Sequence, residues 1–434
     1  MATYAERRAR LLERLGSDLL VVAAAPVALR NASVEHPWRQ DSDLHYLTGL
    51  VEPESVLLLG GKHPEHRAVV FVRPRDEERE RWDGERLGVE RAAAALGVDA
   101  AFPIGELAKR LPDYMADVRR VHYRLGRVPA MDALLLEAID RVRSRERLGV
   151  SAPVEIVDPR LTVHELRMRK DPEEVEAMRR AVAVSIDAHL SAMAVAAPGR
   201  YEYELEAEIL RTFRAAGAER PAYPPIVGSG PNATVLHHRR NDRRIEAGEL
   251  VLVDAGCEIE YRAADLTRTF PASGAFRPEQ RALYDVVLAA QLAAIEVVRP
   301  GVALDEVHRV AVRELTRGLV ALGLLEGDVD GLVERGAFKT YYMHRTSHWL
   351  GMDVHDVGAY YVEGRSRALE PGFVITVEPG LYVVPGAPCD PRWHGIGIRI
   401  EDDVLVTESG AEVLSAALPK EPADLERCVG RRAS

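Results

Sequence analysis

Five residues in the last two-fifths of the chain, Asp254, Asp265, His348, Glu378 and Glu401, offer four carboxylates and one imidazole. That donor set suits Mn²⁺ or a similar hard-to-borderline divalent cation, and two such ions sharing a water can hydrolyse an amide near neutral pH. An apolar run, Leu250-Val251-Leu252-Val253, leads into Asp254. After a short stretch containing Gly256, residues 265–270 alternate polar and apolar. The pattern predicts a β-hairpin. Without bulges it sets Asp254 and Asp265 directly opposite one another on one face. Two carboxylates so placed repel, and a cation between them reverses the sign.

A second cluster gathers His344, His348 and His355 beside Trp349, Gly351 and Asp353, in a chain with 14 histidines in all. A lone histidine is more often a satisfied core residue than a ligand, but three so close to one another point to a site. His348 is the candidate ligand. His344 and His355 suit hydrogen bonding to a substrate or to a developing oxyanion. Glu378 ends an apolar run and precedes Pro379-Gly380. Arg399 and Glu401, two apart in a strand pattern, share a face, so the guanidinium can orient and neutralise a site carboxylate. Taken alone, Glu401 reads first as a strand-end partner of Arg399; with the other acids it completes the donor set.

The elements that must position these side chains fall into two domains, expected at 1–165 and 166–434. Residues 19–22, 55–59 and 68–72 read as strands, and 106–118 and 132–147 carry helical spacing of apolar residues, which predicts an α/β layer. A helix then starts at Asp171, with Pro172 at its first position and Glu174 completing a capping box, and must stop before Pro198-Gly199. The stretch from Glu246 to Gly256 repeats from Glu370 to Gly380, with acid, glycine, apolar strand, acid and glycine at an offset of 124. This predicts an internally duplicated C-terminal domain with one site acid from each half.

Composition excludes several classes of function. The net charge of −11 argues against nucleic acid or an anionic membrane as partner. Three scattered cysteines fit neither a disulfide framework nor a cysteine-based zinc site, so a cytoplasmic location is expected. No apolar stretch is long enough to cross a membrane as a helix. The basic residues near the start, followed by an apolar run from Leu19, loosely imitate an export signal, but Glu6 and Glu13 interrupt the basic region, and Leu19-Leu20-Val21-Val22 after Ser17-Asp18 fits a buried strand better. There is no phosphate loop, Gly-x-Ser-x-Gly elbow or His-Glu-x-x-His helix.

At six separate stretches the chain resembles the pita-bread metallopeptidases and, within them, the bacterial Xaa-Pro aminopeptidases. These are Ile226-Val227-Gly228-Ser229-Gly230, Val253-Asp254-Ala255-Gly256-Cys257, residues 265–270, residues 347–358, Thr376-Val377-Glu378-Pro379-Gly380 and residues 395–402; Tyr46-Leu47-Thr48-Gly49 adds to them. The resemblance implies an α/β N-terminal domain and an α+β pita-bread catalytic domain with a pseudo-two-fold duplication. It further implies two Mn²⁺ per subunit, Asp254 on one, His348 and Glu378 on the other, and Asp265 and Glu401 bridging, with a hydroxide shared by the metals as nucleophile. Glu378 would accept a proton. His237, with His238 directly after it, would bind substrate together with His344, His355 and Tyr382, and Arg399 would support Asp254. Trp82 looks like a residue lent to a neighbouring subunit's substrate site, and a homodimer or homotetramer is implied. The expected substrate is a peptide with proline second, cut at its first bond. A dipeptidase of the same fold (prolidase) and a non-proteolytic pita-bread protein are the competing readings; the full set of ligand types disfavours the second.

Overall fold

The computed structural model describes residues 4–430, which divide into two units after Arg167. In the first, the apolar runs found in the sequence become a six-stranded sheet. Leu19–Ala23 lies at its centre, antiparallel to Val56–Gly60, which is antiparallel to Ala68–Val72. The short strands Ala100–Pro103, Arg120–His122 and Glu155–Val157 join in parallel. Helices Leu107–Met115 and Pro129–Arg143 bury Leu111, Met115, Leu135 and Ile139 against Val21, Leu58 and Phe71 of the sheet. The first helix ends earlier than its apolar spacing suggests, because the chain turns at Asp117 with φ 60°. The second starts at Pro129, whose fixed φ suits a first helical position, and stops at Arg143. The basic residues of helix Tyr4–Leu15 serve packing: Arg8 is buried and donates to the carbonyls of Leu47 and Leu96.

The second unit is built twice from one plan. Helices Pro172–Val195 and Glu202–Ala215 precede strand Leu250–Asp254; helices Pro278–Glu296 and Leu304–Ala321 precede strand Val374–Val377. Asp171 caps the first helix, accepting from Glu174 N–H while the Glu174 side chain reaches back, so the capping box is present. In the first half Ile226–Ser229 runs antiparallel beside Leu250–Asp254, with Ile226 opposite Asp254. In the second half the segment through Trp349 takes that place: Trp349 bridges Ile375, and Glu378 N–H donates to Thr346 O. The outer partners are Thr267–Pro271 and Asp402–Val406. The repeat offset of 124 thus marks two equivalent strands, and each delivers its acid at the same end.

The hairpin after Asp254 differs from expectation. Asp254 stands opposite Thr267, and Asp265 lies two residues before it, diagonal on the same face. The register is set by a two-residue turn at Glu260 and Tyr261, both with positive φ (49° and 59°), a geometry that matches the strand twist. Neither residue type announces such a turn. Gly256 makes the crossing possible: a Cβ there would meet Ala264 O at 1.8 Å.

Candidate metal centre

The strand ends of both halves open on a cavity of about 250 Å³. Asp254, Asp265, His348, Glu378, Glu401, Arg399, His237, His344 and His355 all line it, together with Leu236, Arg345 and Ser347. Asp254, Asp265 and Glu401 are buried, while His237 and His355 are exposed at its mouth.

Three of the acids are anchored by hydrogen bonds. Arg399, itself buried, places Nη2 2.6 Å from Asp254 Oδ2, Nη1 3.0 Å from Tyr382 Oη and Nε 3.1 Å from Thr267 Oγ1. Asp265 N–H donates to Asp403 Oδ2 at 3.1 Å. Glu401 accepts from Thr267 Oγ1 at 2.6 Å, and its N–H donates to Thr267 O, so the two halves are stitched together at this point. The guanidinium of Arg399 thus turns to Asp254, on the strand of the other half, and not to Glu401 on its own strand.

Tyr223 is a neighbour that the sequence did not reveal. Its hydroxyl lies 2.6 Å from Asp254 Oδ1 and 2.5 Å from Asp265 Oδ1. It sits in Ala222-Tyr223-Pro224-Pro225, a stretch with no periodic pattern to mark it.

The donor set fits divalent cations. Asp265, His348 and Glu401 each offer a ligand atom, all within 4.8 Å of one another. Asp254 and Glu378 stand outside that tight group but face the same cavity. His348 Nδ1 lies 3.0 Å from Trp349 O, which keeps its proton there and turns Nε2 towards Asp265 Oδ2 (3.3 Å) and Glu378 Oε1 (3.6 Å). A lone pair facing two carboxylates calls for a proton or a cation. Burial opposes charge on His348, yet Asp265 and Glu378 outweigh it and push its pKa up to about 9. Burial likewise lifts Glu378 to about 7, against the pull of His348 and Arg399, and holds Glu401 far above the carboxylate range with help from Asp265. Four acids against one guanidinium leave the cluster short of positive charge, which a bound cation would offset.

Around the acids, His344 Nε2 lies 2.9 Å from Tyr382 Oη, and burial lowers its pKa to about 3, so it stays neutral. His348 and His355 rings meet edge to face with centroids 4.5 Å apart. His238 does not line the cavity, so His237 is the one that faces it. Trp82 belongs to the N-terminal unit, at the end of helix Glu77–Asp83, and is 84% exposed.

Family models agree with this geometry. That of metallopeptidase family M24 matches residues 176–408, and that of the aminopeptidase P N-terminal domain matches residues 4–122. The chain belongs to metallopeptidase family M24. Its C-terminal unit accordingly has the pita-bread fold, duplicated about a pseudo-two-fold axis. Among its relatives is the Xaa-Pro aminopeptidase of Escherichia coli, 44% identical over 98% of this chain and 96% of that protein. Aminopeptidase PepP of Pseudomonas aeruginosa superposes with a TM-score of 0.95 at 49% identity, covering 98% of this chain and 97% of the other. A zinc-substituted E. coli aminopeptidase P in complex with product superposes with a TM-score of 0.95 at 42% identity, over 99% and 98% of the two chains.

Proposed function

We propose that the chain is a Xaa-Pro aminopeptidase, hydrolysing the first peptide bond of peptides with proline in second position. The observation that carries this reading is the shared cavity into which both halves deliver carboxylates, with four imidazoles at its wall. Membership of a metallopeptidase family and the similarity to Xaa-Pro aminopeptidases along nearly the whole chain support it. Asp254 would hold one Mn²⁺, His348 and Glu378 the second, and Asp265 and Glu401 both. Bound there, the cations would lower the pKa of a water and polarise the scissile carbonyl.

The chain's own side chains do the rest. Glu378 accepts the proton that the attacking water gives up. Neutral His344, fixed by Tyr382, and the exposed His237 and His355 offer hydrogen bonds to the substrate backbone and to the oxyanion. Arg399 orients Asp254 and opposes the rise that burial gives its pKa, which favours the carboxylate as a ligand. Proline in second position fixes φ and removes an N–H, so its selection falls to the shape of the cavity wall.

The test is a peptide panel incubated with Mn²⁺, with a chelator control, read by mass spectrometry. Metal-dependent release of only the first residue from long Xaa-Pro peptides is expected. Cleavage confined to dipeptides would assign a prolidase, and no cleavage would leave a non-proteolytic protein.

The remaining parts of the reading are a homodimer or homotetramer, a cytoplasmic location, and Trp82 serving a neighbouring subunit. The N-terminal unit exposes Val27, Leu29 and Val34 and carries an apolar groove of about 410 Å³, which supports self-association. Sedimentation velocity tests it, a monomer at micromolar concentration being the contrary result. None of the three cysteines forms a disulfide, and among the described residues no helix is long and apolar enough to cross a membrane.

A further inference from the structure

Beneath the cavity wall, at the start of helix Glu202–Ala215, lies a carboxylate that no part of the proposed chemistry uses. Glu202 is completely buried. Its Oε1 accepts from Ser229 N–H at 2.7 Å, from Ser229 Oγ at 2.8 Å and from Asn232 Nδ2 at 3.0 Å. Its Oε2 accepts from Arg243 N–H at 3.0 Å and lies 3.1 Å from His238 Nε2. The Glu202 N–H in turn donates to Arg243 O at 3.0 Å.

These partners are the two ends and the middle of one loop. It leaves strand Ile226–Ser229, forms a short 3-10 turn over Gly230–Thr234, and returns at Arg243. Between those anchors it carries Leu236 and His237, the side chains that reach the cavity. Val235, His237, Arg239 and Arg240 are exposed on its outer arc, and a second anchor follows at buried Asn241, which accepts from Val227 N–H and donates to Glu206 and Pro225 O. On its inner side the turn is pressed against strand Ile396–Arg399, where a Cβ at Gly397 would meet Ala233 O at 2.1 Å. His238 closes a turn over Leu236 and His237, its N–H donating to Val235 O at 3.2 Å, and its ring is turned inward onto Glu202. Holding His238 therefore holds the turn that presents His237 to the cavity.

We propose that Glu202 is a positioning residue for substrate binding, acting through His238 to hold His237 at the cavity wall. The inference rests on the reading that His237 faces the substrate. A carboxylate is the one side chain that accepts from this many donors at once, and none of its contacts is to a candidate metal ligand. Loss of Glu202 therefore disturbs recognition of peptide and leaves the metal set intact. In Glu202→Gln the shape is kept, but one acceptor becomes an N–H facing other N–H groups, which drives the loop from its seat.

The test is a double-mutant cycle on the full chain with Glu202→Gln, His237→Ala and the double variant, assayed on a Xaa-Pro-Yaa tripeptide. Metal content is read by elemental analysis. Glu202→Gln is expected to lower kcat/KM about 10- to 100-fold, chiefly through KM, with metal content unchanged. In the His237→Ala background the same substitution is expected to have less than a twofold effect, since its route of action is gone. A full additive loss in the double variant, or metal lost in step with activity, overturns the positioning role. If His237→Ala alone leaves kcat/KM unchanged, the substrate reading of His237 fails and the inference falls with it. Should Glu202→Gln not fold, His238→Gln serves the cycle in its place, with the same two outcomes.

Discussion

Arg399 spans the two halves of the C-terminal unit, donating to Asp254 Oδ2 at 2.6 Å while its other arm meets Tyr382 Oη at 3.0 Å. The planar guanidinium serves three acceptors in fixed directions, and a lysine ammonium at that site reaches one of them. Arg399→Lys is therefore expected to lower kcat/KM about 10- to 100-fold and to reduce metal content, because Asp254 loses its orientation. Equal metal content and activity in that variant, measured by elemental analysis and peptide hydrolysis, would show that the bond to Asp254 is structural only.

Asp265 offers the sharper test of a two-metal site. One oxygen faces Tyr223 and the other His348, so both are aimed into the cluster. Asp265→Asn replaces one of these oxygens with an amide donor of almost the same shape. Nearly all activity and much of the bound metal should disappear, with the thermal unfolding of the chelated protein little changed. An Asp265→Asn protein that hydrolyses at the wild-type rate is incompatible with a bridging carboxylate.

Gly256 permits the chain crossing that brings the two aspartates to one face. Gly256→Ala forces a methyl into Ala264 O, and backbone on both sides must move. Overpacking of this kind costs up to about 3 kcal/mol. Gly410, which has open space around it, supplies the control: Gly410→Ala should be nearly neutral. Urea unfolding of the two variants decides the point, and equal midpoints would mean that the hairpin yields without strain.

Much of this arrangement was legible in the sequence, and for identifiable reasons. Asp254 and Glu378 announce themselves because an acid at the end of an apolar strand is poorly placed for solvent, and because the pattern occurs twice. The helix from Asp171 is visible because its cap is local chemistry, complete within four residues. What was hidden depends on distance or on register. Tyr223 reaches Asp254 and Asp265 across 31 and 42 residues of chain, and no spacing rule connects them. The hairpin register turned on Glu260 and Tyr261 adopting positive φ without the glycine or asparagine that usually signals it. Glu202 carries no mark in the sequence, because a carboxylate in the first turn of a helix is favourable whether or not a loop folds onto it.

A last prediction concerns stability, through a histidine remote from solvent. His189, in helix Pro172–Val195, is completely buried, with Nε2 3.0 Å from Ala255 O. That carbonyl takes the proton on Nε2, and Nδ1 has no hydrogen-bond partner among the described residues. A second proton on Nδ1 would put a charge in a fully buried site. Burial accordingly pushes the pKa down to about 4, the bond to Ala255 offsetting only part of the effect. The unfolded chain takes this proton below about 6.5, and the folded protein refuses it until about 4, so the unfolded state binds more protons in that window. Stability from this group is thus complete above pH 6.5 and is lost as pH falls towards 4. His189→Gln keeps a donor for Ala255 O and removes the titration. Between pH 7 and pH 5 the wild type should lose about 2 kcal/mol more than the variant in urea unfolding. Parallel losses in the two proteins would mean that the imidazole finds its second proton inside the fold.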